Sequence, residues 1–221
     1  MITIENIVGP SDAQMKFAIE GMRNPMNSWD RSDSEWDPDG IFDVGDKDFE
    51  LMYKLAQAGP THRKYLRMLP ICMRITAPLY WWKEFDTYKV GTVSNSCSTM
   101  HKITAKEFTL DDFSYEHLNT YALSLLQDII VTLNDYRQAY LNCNLDDIMH
   151  GSTKKDIWWQ IIQLLPSNYN QTRNITLNYE VLVNIYQTRK DHKLDEWRVF
   201  CERIEKIPCL GIFLRRMEED K

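Results

Sequence analysis

The apolar residues of this chain change period part-way along it, and that change restricts what it can fold into. Ile71, Met73 and Ile75 alternate with Cys72 and Arg74, and a period of two belongs to a strand with one buried face. Further on, Leu118, Tyr121, Leu125, Ile129 and Leu133 recur at intervals of three and four residues, the spacing of one side of a helix. A chain that carries both periods needs helices laid against a sheet. With 221 residues, 43% of them apolar, it can bury one sizeable core. One α+β domain over residues 1–221 is the expected architecture.

Local signals fill in that outline. Ile2 to Ile7 reads as an opening strand, followed by a Gly-Pro-Ser turn and a helix from Ser11. Residues 24–46 are acidic and rich in Pro, Gly and Ser, which is loop composition. Such a stretch is long for a plain connector and is expected to be a loop insertion, either mobile or functional. Asp46 to Ala58 reads as a helix with Phe49, Met52, Leu55 and Ala56 on one side and Gly59 at its C-terminal cap. Pro78 opens another helix through LYWWKEFDTYK. Residues 91–101, GTVSNSCSTMH, are small and hydroxyl-rich, suited to wrapping a ligand or to an ordinary surface loop. IWWQIIQLLP is predicted as a short buried helix stopped by Pro166. One long helix is predicted from about Asn178 to Lys206, with Val181, Leu182, Ile185, Tyr186, Trp197, Cys201 and Ile204 as its apolar side.

Charge and composition exclude several function classes. The formal charge is −6, so a polymeric nucleic acid or a membrane surface, both of which call for a basic face, is not the expected partner. A small anionic ligand needs only a few local cations. The five cysteines, Cys72, Cys97, Cys143, Cys201 and Cys209, form no CxxC pair, which fits free thiols in a reducing compartment. The N-terminal residues lack the basic and apolar regions of a secretion signal, and no stretch has the length of a membrane span. A soluble, cytoplasmic protein is expected. Aromatic residues make up 12% of the chain, with seven Trp, enough to build core and subunit contacts or to stack on a flat ligand.

Three groups of residues could carry chemistry. Asn178 and Arg189 lie about three helical turns apart and would share a face of the predicted long helix, continued by His192 and Glu196. That stripe could line a ligand site or form a solvated surface with a helical ion pair. Lys83, Glu84, Asp86, Tyr88 and Lys89 lead into the hydroxyl-rich stretch and make either an anion cradle or an ordinary helix end. His62 beside Arg63 and Lys64 could be catalytic or structural. The histidines His62, His101, His117, His150 and His192 show no metal-ligand spacing. No Walker loop, GxGxxG or GxSxG is present.

The order and spacing of residues 47–207 resemble the flavin-dependent thymidylate synthases. That family has a Leu-Pro, a polar turn, Thr-x-Asn, a buried helical stretch with a second Asn, then Leu-Arg, His and Glu-Ile-Arg. This chain supplies Leu165-Pro166, Thr176, Asn178, Asn184, Arg189, His192 and Glu196-Trp197-Arg198, with one residue fewer between Arg189 and Glu196. Upstream, His62 falls on the His of the family's Gly-His. Lys83-Glu84 fall on its Arg-Gln, and Thr87-Tyr88-Lys89 on the Arg-His-Arg that opens the signature RHRxxSxNExSxR. Thr92 falls on the first signature Ser; after a slip of one residue, Asn95 and Ser98 match the Asn and the second Ser. Ser96 stands in place of the signature acid, Met100 in place of the closing Arg, Arg67-Met68 in place of an upstream Glu-His, and Ile161-Ile162 where the family has a substrate-binding Arg.

The resemblance implies an α+β fold, helices on a central sheet, and a homotetramer with flavin sites between subunits. It implies FAD as cofactor, with NADPH and methylenetetrahydrofolate as co-substrates, and reductive methylation of dUMP at C5. His62, Tyr88, Lys89, Asn178, Asn184 and Arg189 would then be cofactor-binding, and Glu84, Asn95, Ser96, Ser98 and Arg189 substrate-binding. The altered signature leaves two other functions open: modification of a related pyrimidine nucleotide on the same scaffold, and nucleotide binding without catalysis.

Overall fold

The computed structural model describes residues 1–142 and 153–219; Cys143 and His150 lie outside the described residues. Two neighbouring strands of one sheet run straight into helices. β4 (Pro70–Pro78) ends on Pro78, which opens α3 (Leu79–Phe85), and β6 (Asn170–Asn178) ends on Asn178, which opens α7 (Tyr179–Arg189). The Leu79 N–H donates to the Tyr169 carbonyl at 3.0 Å, and the Tyr179 N–H donates to the Leu69 carbonyl at 3.1 Å. Each helix therefore starts where the partner strand begins, and β4 and β6 run antiparallel. Two side-chain hydrogen bonds keep the same register, Thr76 to Thr172 at 2.7 Å and Cys72 to Thr176 at 3.3 Å. β1 (Thr3–Val8) and β5 (Val93–Ser96) complete a four-stranded sheet in the order β1-β4-β6-β5. In β4, Ile71, Met73 and Ile75 are buried while Cys72 and Arg74 are exposed, as their alternation predicts.

The chain divides into two compact units, each made of several segments, and the division falls within β1, β4, β5 and β6. The first unit comprises residues 1–3, 75–87 and 95–173. It includes α3, the short α4 (Thr99–Lys102), α5 (Thr120–Asn142) and α6 (Lys154–Leu164). Its core joins Leu126, Ile130 and Leu133 of α5 to Ile161 of α6 and to Phe108 and Phe113. The buried side of α5 is thus one step round from the apolar series in the sequence, and Tyr121 and Leu125 of that series are exposed. The α6 helix buries only Ile157 and Ile161, with Trp159 on the surface, so it is amphipathic rather than buried all round. Trp81 and Trp82 are fully buried, and Arg173 lies over the Trp82 ring at 4.2 Å while donating to Asp86 at 2.7 Å.

The second unit comprises residues 4–74, 88–94 and 174–221. α1 (Asp12–Arg23) begins with a capping box between Ser11 and Gln14, and α2 (Asp46–Gln57) ends before Gly59, whose φ of +102° suits a residue without a side chain. The α2 face that is buried carries Asp48, Met52, Tyr53 and Ala56; Phe49 and Leu55 are half-buried. Between these helices, residues 24–45 carry their own structure. β2 (Glu35–Trp36) pairs with β3 (Phe42–Asp43), with the Trp36 and Phe42 rings 5.2 Å apart. A 3₁₀ segment, Arg63–Met68, leads into β4.

The single helix expected over residues 178–206 is two helices preceded by a strand. α7 stops at Arg189 and α8 (Asp195–Ile204) starts after Leu194, whose φ of −79° and ψ of 125° are extended. The cause lies in Lys190-Asp191-His192-Lys193, four polar residues in a row that leave no apolar side to continue the helix. α9 (Leu210–Glu219) closes the unit and buries Leu210, Phe213, Leu214 and Met217. No helix among the described residues is long and apolar enough to cross a membrane.

Candidate functional site

α7 buries Val181, Leu182, Val183, Ile185 and Tyr186, positions that take up most of its circumference. The remaining stripe is polar: Glu180, Asn184 and Thr188, four residues apart, stack on one side. The 3₁₀ segment lays two arginines against its first turn. Arg63 Nε donates to Glu180 at 3.0 Å, Arg63 Nη2 to Asn184 Oδ1 at 3.3 Å, and Arg67 also binds the Glu180 carboxylate. Burial alone would raise the Glu180 pKa, but the hydrogen bonds and charges of Arg67 and Arg63 outweigh it and hold the carboxyl below its ordinary range.

At the other end of the stripe, residue 88 meets residues 188 and 189. Arg189 Nε donates to the Tyr88 hydroxyl at 2.9 Å. That hydroxyl lies 3.1 Å from Thr188 Oγ1, which donates to the Asn184 carbonyl at 2.8 Å. Read by donor and acceptor, the chain runs from guanidinium to phenol to hydroxyl to carbonyl. The Arg189 guanidinium also sits 5.0 Å from the Trp197 ring centre and 5.8 Å from that of Tyr88, within range of a cation–π attraction. Its Nη1 is 2.9 Å from His192 Nε2, while the Leu194 N–H approaches His192 Nδ1 at 3.2 Å. A neutral imidazole offers one acceptor nitrogen, so the guanidinium and the Leu194 amide compete for it. Arg189 and His192 are thus close, but across the break between helices and not along one helical face. Trp197 is fully buried and Glu196 nearly so.

The segment after Tyr88 adds a cation, a turn and a hydroxyl. Lys89 is exposed and has no ion-pair partner among the described residues. Gly91 has φ +76°, and a Cβ there would stand 2.8 Å from Asn178 Nδ2, so the site tolerates only glycine without a shift. Thr92 Oγ1 is buried with no hydrogen-bond partner among the described residues. Asn178 accepts the Val181 N–H at 3.1 Å and so caps α7, with its amide packed on Gly91.

The structure places the remaining sequence candidates as follows. His62 is exposed, just before the 3₁₀ segment in the second unit. Glu84, half-buried near the end of α3, and Asn95, Ser96 and Ser98 belong to the first unit. Asn95 and Ser96 lie on the exposed strand β5, and Ser98 caps α4 by accepting the His101 N–H. The stretch expected as a loop at 91–101 therefore contains a strand and a helical turn. No cluster of metal ligands occurs among the described residues.

No protein-family model and no curated protein matches this sequence. The fold does match solved structures over nearly its whole length. One is thymidylate synthase X from Helicobacter pylori with FAD and dUMP, at a TM-score of 0.62 and 16% identity, covering 96% of this chain and 95% of that one. A second structure of the H. pylori flavin-dependent thymidylate synthase, complexed with FAD and dUMP, gives 0.63 and 17%, covering 96% of both chains. A UMP/dUMP methylase from Streptomyces cacaoi, bound with 5-Br dUMP, gives 0.61 and 13%, covering 98% and 95%. The chain has the α+β fold of the flavin-dependent thymidylate synthases.

Sequence reasoning missed Glu180, Thr188 and Trp197 as members of these clusters. A signal was present for the first two: polar residues four apart in a stretch otherwise apolar on every side. Trp197 read as core, which it is; that its ring also faces a cation depends on the turn at residues 190–194.

Proposed function

We propose that this protein binds a flavin and a pyrimidine nucleotide and methylates the nucleotide base at C5, acting on dUMP with FAD, NADPH and methylenetetrahydrofolate. The observation that carries the reading is the match of the whole chain to structures that hold FAD with dUMP, or 5-Br dUMP. The residues of the second unit fit such a cofactor by their chemistry. Thr92 offers a buried hydroxyl with no partner among the described residues, Lys89 an exposed cation with none, and Gly91 a turn that brings backbone close. Arg189 offers a planar guanidinium already steadied by Tyr88 and Trp197. FAD, when bound, supplies the redox chemistry. The protein's part is to bind and orient.

In this reading Lys89 and Thr92 hold phosphate oxygens, and Tyr88, Asn184 and His62 contribute to the cofactor site. Asn178 acts indirectly, by fixing the start of α7 against Gly91. Glu84, Asn95, Ser96 and Ser98 of the first unit contact substrate. Arg189 is the principal ligand-binding residue, because its fork can bond two oxygens of a phosphate or carbonyl where a lysine offers one point charge. The replacement of Arg-His-Arg by Thr87-Tyr88-Lys89 favours a second reading, modification of a related pyrimidine nucleotide, and the likeness to a UMP/dUMP methylase supports it equally. A homotetramer also belongs to the proposal. The outward apolar residues Tyr121 and Leu125 on α5 offer surface for contact between copies.

Titrating the purified protein with FAD and then dUMP, by absorbance and calorimetry, tests the reading. The parent should bind both. Arg189→Lys should lose at least about tenfold in nucleotide affinity, the scale of a charge-assisted hydrogen bond, with only a small fall in melting temperature from the lost contacts to Tyr88 and His192. A parent that binds neither ligand refutes the function. A variant that binds as tightly as the parent removes Arg189 from the site. Light scattering should give a mass near four times 26.2 kDa; a monomer refutes the tetramer.

A further inference from the structure

The second unit holds a cleft that none of the proposed nucleotide-binding residues line. Its volume is about 490 Å³, within the range of small-molecule sites. Ile7, Met15, Phe42 and Ile207 give it apolar walls, contributed by β1, α1, β3 and the turn after α8. Its rim has a different character. Arg203 and Lys206, at the C-terminal end of α8, are exposed and have no carboxylate partner among the described residues. Asp12 is the one acid among the lining residues, and its carboxylate already accepts the Phe42 N–H at 3.3 Å. The rim is therefore net positive on a chain whose total charge is negative.

Tyr179 supplies a second, independent observation. It lines the cleft and is 3% exposed, and its hydroxyl, which has no hydrogen-bond partner among the described residues, is not sealed from solvent. A hydroxyl that protein groups leave to solvent is a donor that a water or a ligand in the cleft can take up. Burial, with the Cys209 thiol nearby, pushes the Tyr179 pKa well up, so the group stays a hydrogen-bond donor at any working pH. Cations near a helix C-terminus also complement the helix dipole. That role accounts for Arg203 and Lys206 alone; it accounts neither for the apolar cleft beside them nor for the unmet hydroxyl within it.

We propose that this cleft binds a small organic anion with a flat apolar body. Its acidic group is held by Arg203 and Lys206, and an acceptor atom takes the Tyr179 hydroxyl. The site shares no lining residue with the Arg189 cluster, so either reading can fail without the other.

The fluorescent probe anilinonaphthalene sulfonate has this form, fused rings with one strong acid, and its uncharged relative N-phenylnaphthylamine lacks the acid. Two readouts on the full chain are used together: fluorescence titration, and NMR of methyl-labelled methionines. Met15 lies in this cleft, whereas Met68 lies in another cleft of the unit, with Phe17 and Trp29. Saturation with the sulfonate should shift the Met15 methyl signal and leave Met68 in place. The double variant Arg203→Ala, Lys206→Ala should bind the sulfonate at least tenfold more weakly and N-phenylnaphthylamine unchanged. Both residues are exposed, so its melting temperature should match the parent; Lys206→Gln alone, a milder change, should weaken the sulfonate severalfold. The proposal is overturned if the parent does not bind the sulfonate, if Met15 does not shift at saturation, or if the double variant binds it as tightly as the parent.

Discussion

Asp48 holds the segment between α1 and α2 in place, and removing it should cost far more than removing its partner. It is fully buried near the start of α2. Its carboxylate accepts Arg23 Nε at 2.5 Å, the hydroxyls of Ser32 and Ser34 at 2.6 Å each, and the backbone N–H groups of Ser34 and Asp33 at 3.2 and 3.3 Å. Arg23 is also buried, and besides Asp48 it donates to the Ser28 carbonyl. Asp48→Ala therefore leaves a buried guanidinium without a counter-charge, a loss of about 3–5 kcal/mol. For a chain of this size that corresponds to a melting temperature lower by roughly 6–20 °C. Arg23→Met leaves the carboxylate with four donors and should cost only about 1–3 kcal/mol. Calorimetric melting of parent and both variants gives the comparison, and limited proteolysis locates the loss in residues 24–45. Equal destabilisation by the two variants, or a shift under about 2 °C for Asp48→Ala, refutes the assignment of Asp48 as the hub.

The same residue fixes a pH dependence. Burial on its own would raise the Asp48 pKa, but hydrogen bonds from Ser32, Ser34 and Arg23, and the charge of Arg23, together bring it below the ordinary value. A carboxyl with a lowered folded pKa gives stability that is complete above its unfolded pKa, about 3.9, and is lost as pH falls through the folded value. The stability gap between parent and Asp48→Asn should thus be constant from pH 7 to 5 and shrink below about pH 4. A gap that widens on acidification contradicts this.

Three further outcomes are expected. Gly91→Ala forces a side chain into a left-handed backbone, 2.8 Å from Asn178 Nδ2. It should destabilise by about 1–3 kcal/mol and loosen the α7 cap, seen as faster hydrogen exchange at Val181; a neutral substitution would show that the turn is free to move. Glu180→Gln removes the shared counter-charge of Arg63 and Arg67 and should cost roughly 1–3 kcal/mol at pH 7; because the Glu180 pKa is lowered, the difference should begin to shrink only below about pH 4 and be lost as pH falls through the folded value. In the native protein at pH 8, iodoacetamide should label exposed Cys72 and Cys97 well before Cys201 and Cys209, since burial pushes the last two thiols up to about 12 and about 11. Mass spectrometry showing Cys209 labelled as fast as Cys72 would contradict that order.

Short-range chemistry was the legible part of the fold. Ser11 and Gln14 announce the start of α1, Gly59 the end of α2, Pro78 the start of α3, and Ile71-Met73-Ile75 the face of β4. The misreadings have a common physical origin. β6 buries Gln171, Ile175 and Leu177, and a polar residue among three buried ones hides the alternation. Gln171 is tolerated there because its amide donates to the Cys97 carbonyl at 3.0 Å and its oxygen accepts Arg173 Nε at 2.9 Å. α5 is apolar on two sides, so periodicity alone could not tell the side packed on the core from the side left outward. β5 is exposed throughout and is a strand only because it lies at the sheet edge, next to β6.

The same distinction applies to the candidate site. Residue types at 88, 89 and 189 are visible in the sequence, but the relation among them is not. Arg189 meets Tyr88 across 101 positions of chain, and it meets His192 only because α7 ends where four polar residues begin. A continuous helix over 178–206 would have carried Trp197 about two turns beyond Arg189. The break instead folds α8 back, so that the buried Trp197 ring comes within 5.0 Å of the guanidinium. The polar run at 190–193 thus acts on the site through the path of the backbone: it ends one helix, frees the next to turn, and brings an arginine against two aromatic rings. A planar cation held in that way is already ordered before any ligand arrives, which lowers the entropy cost of binding.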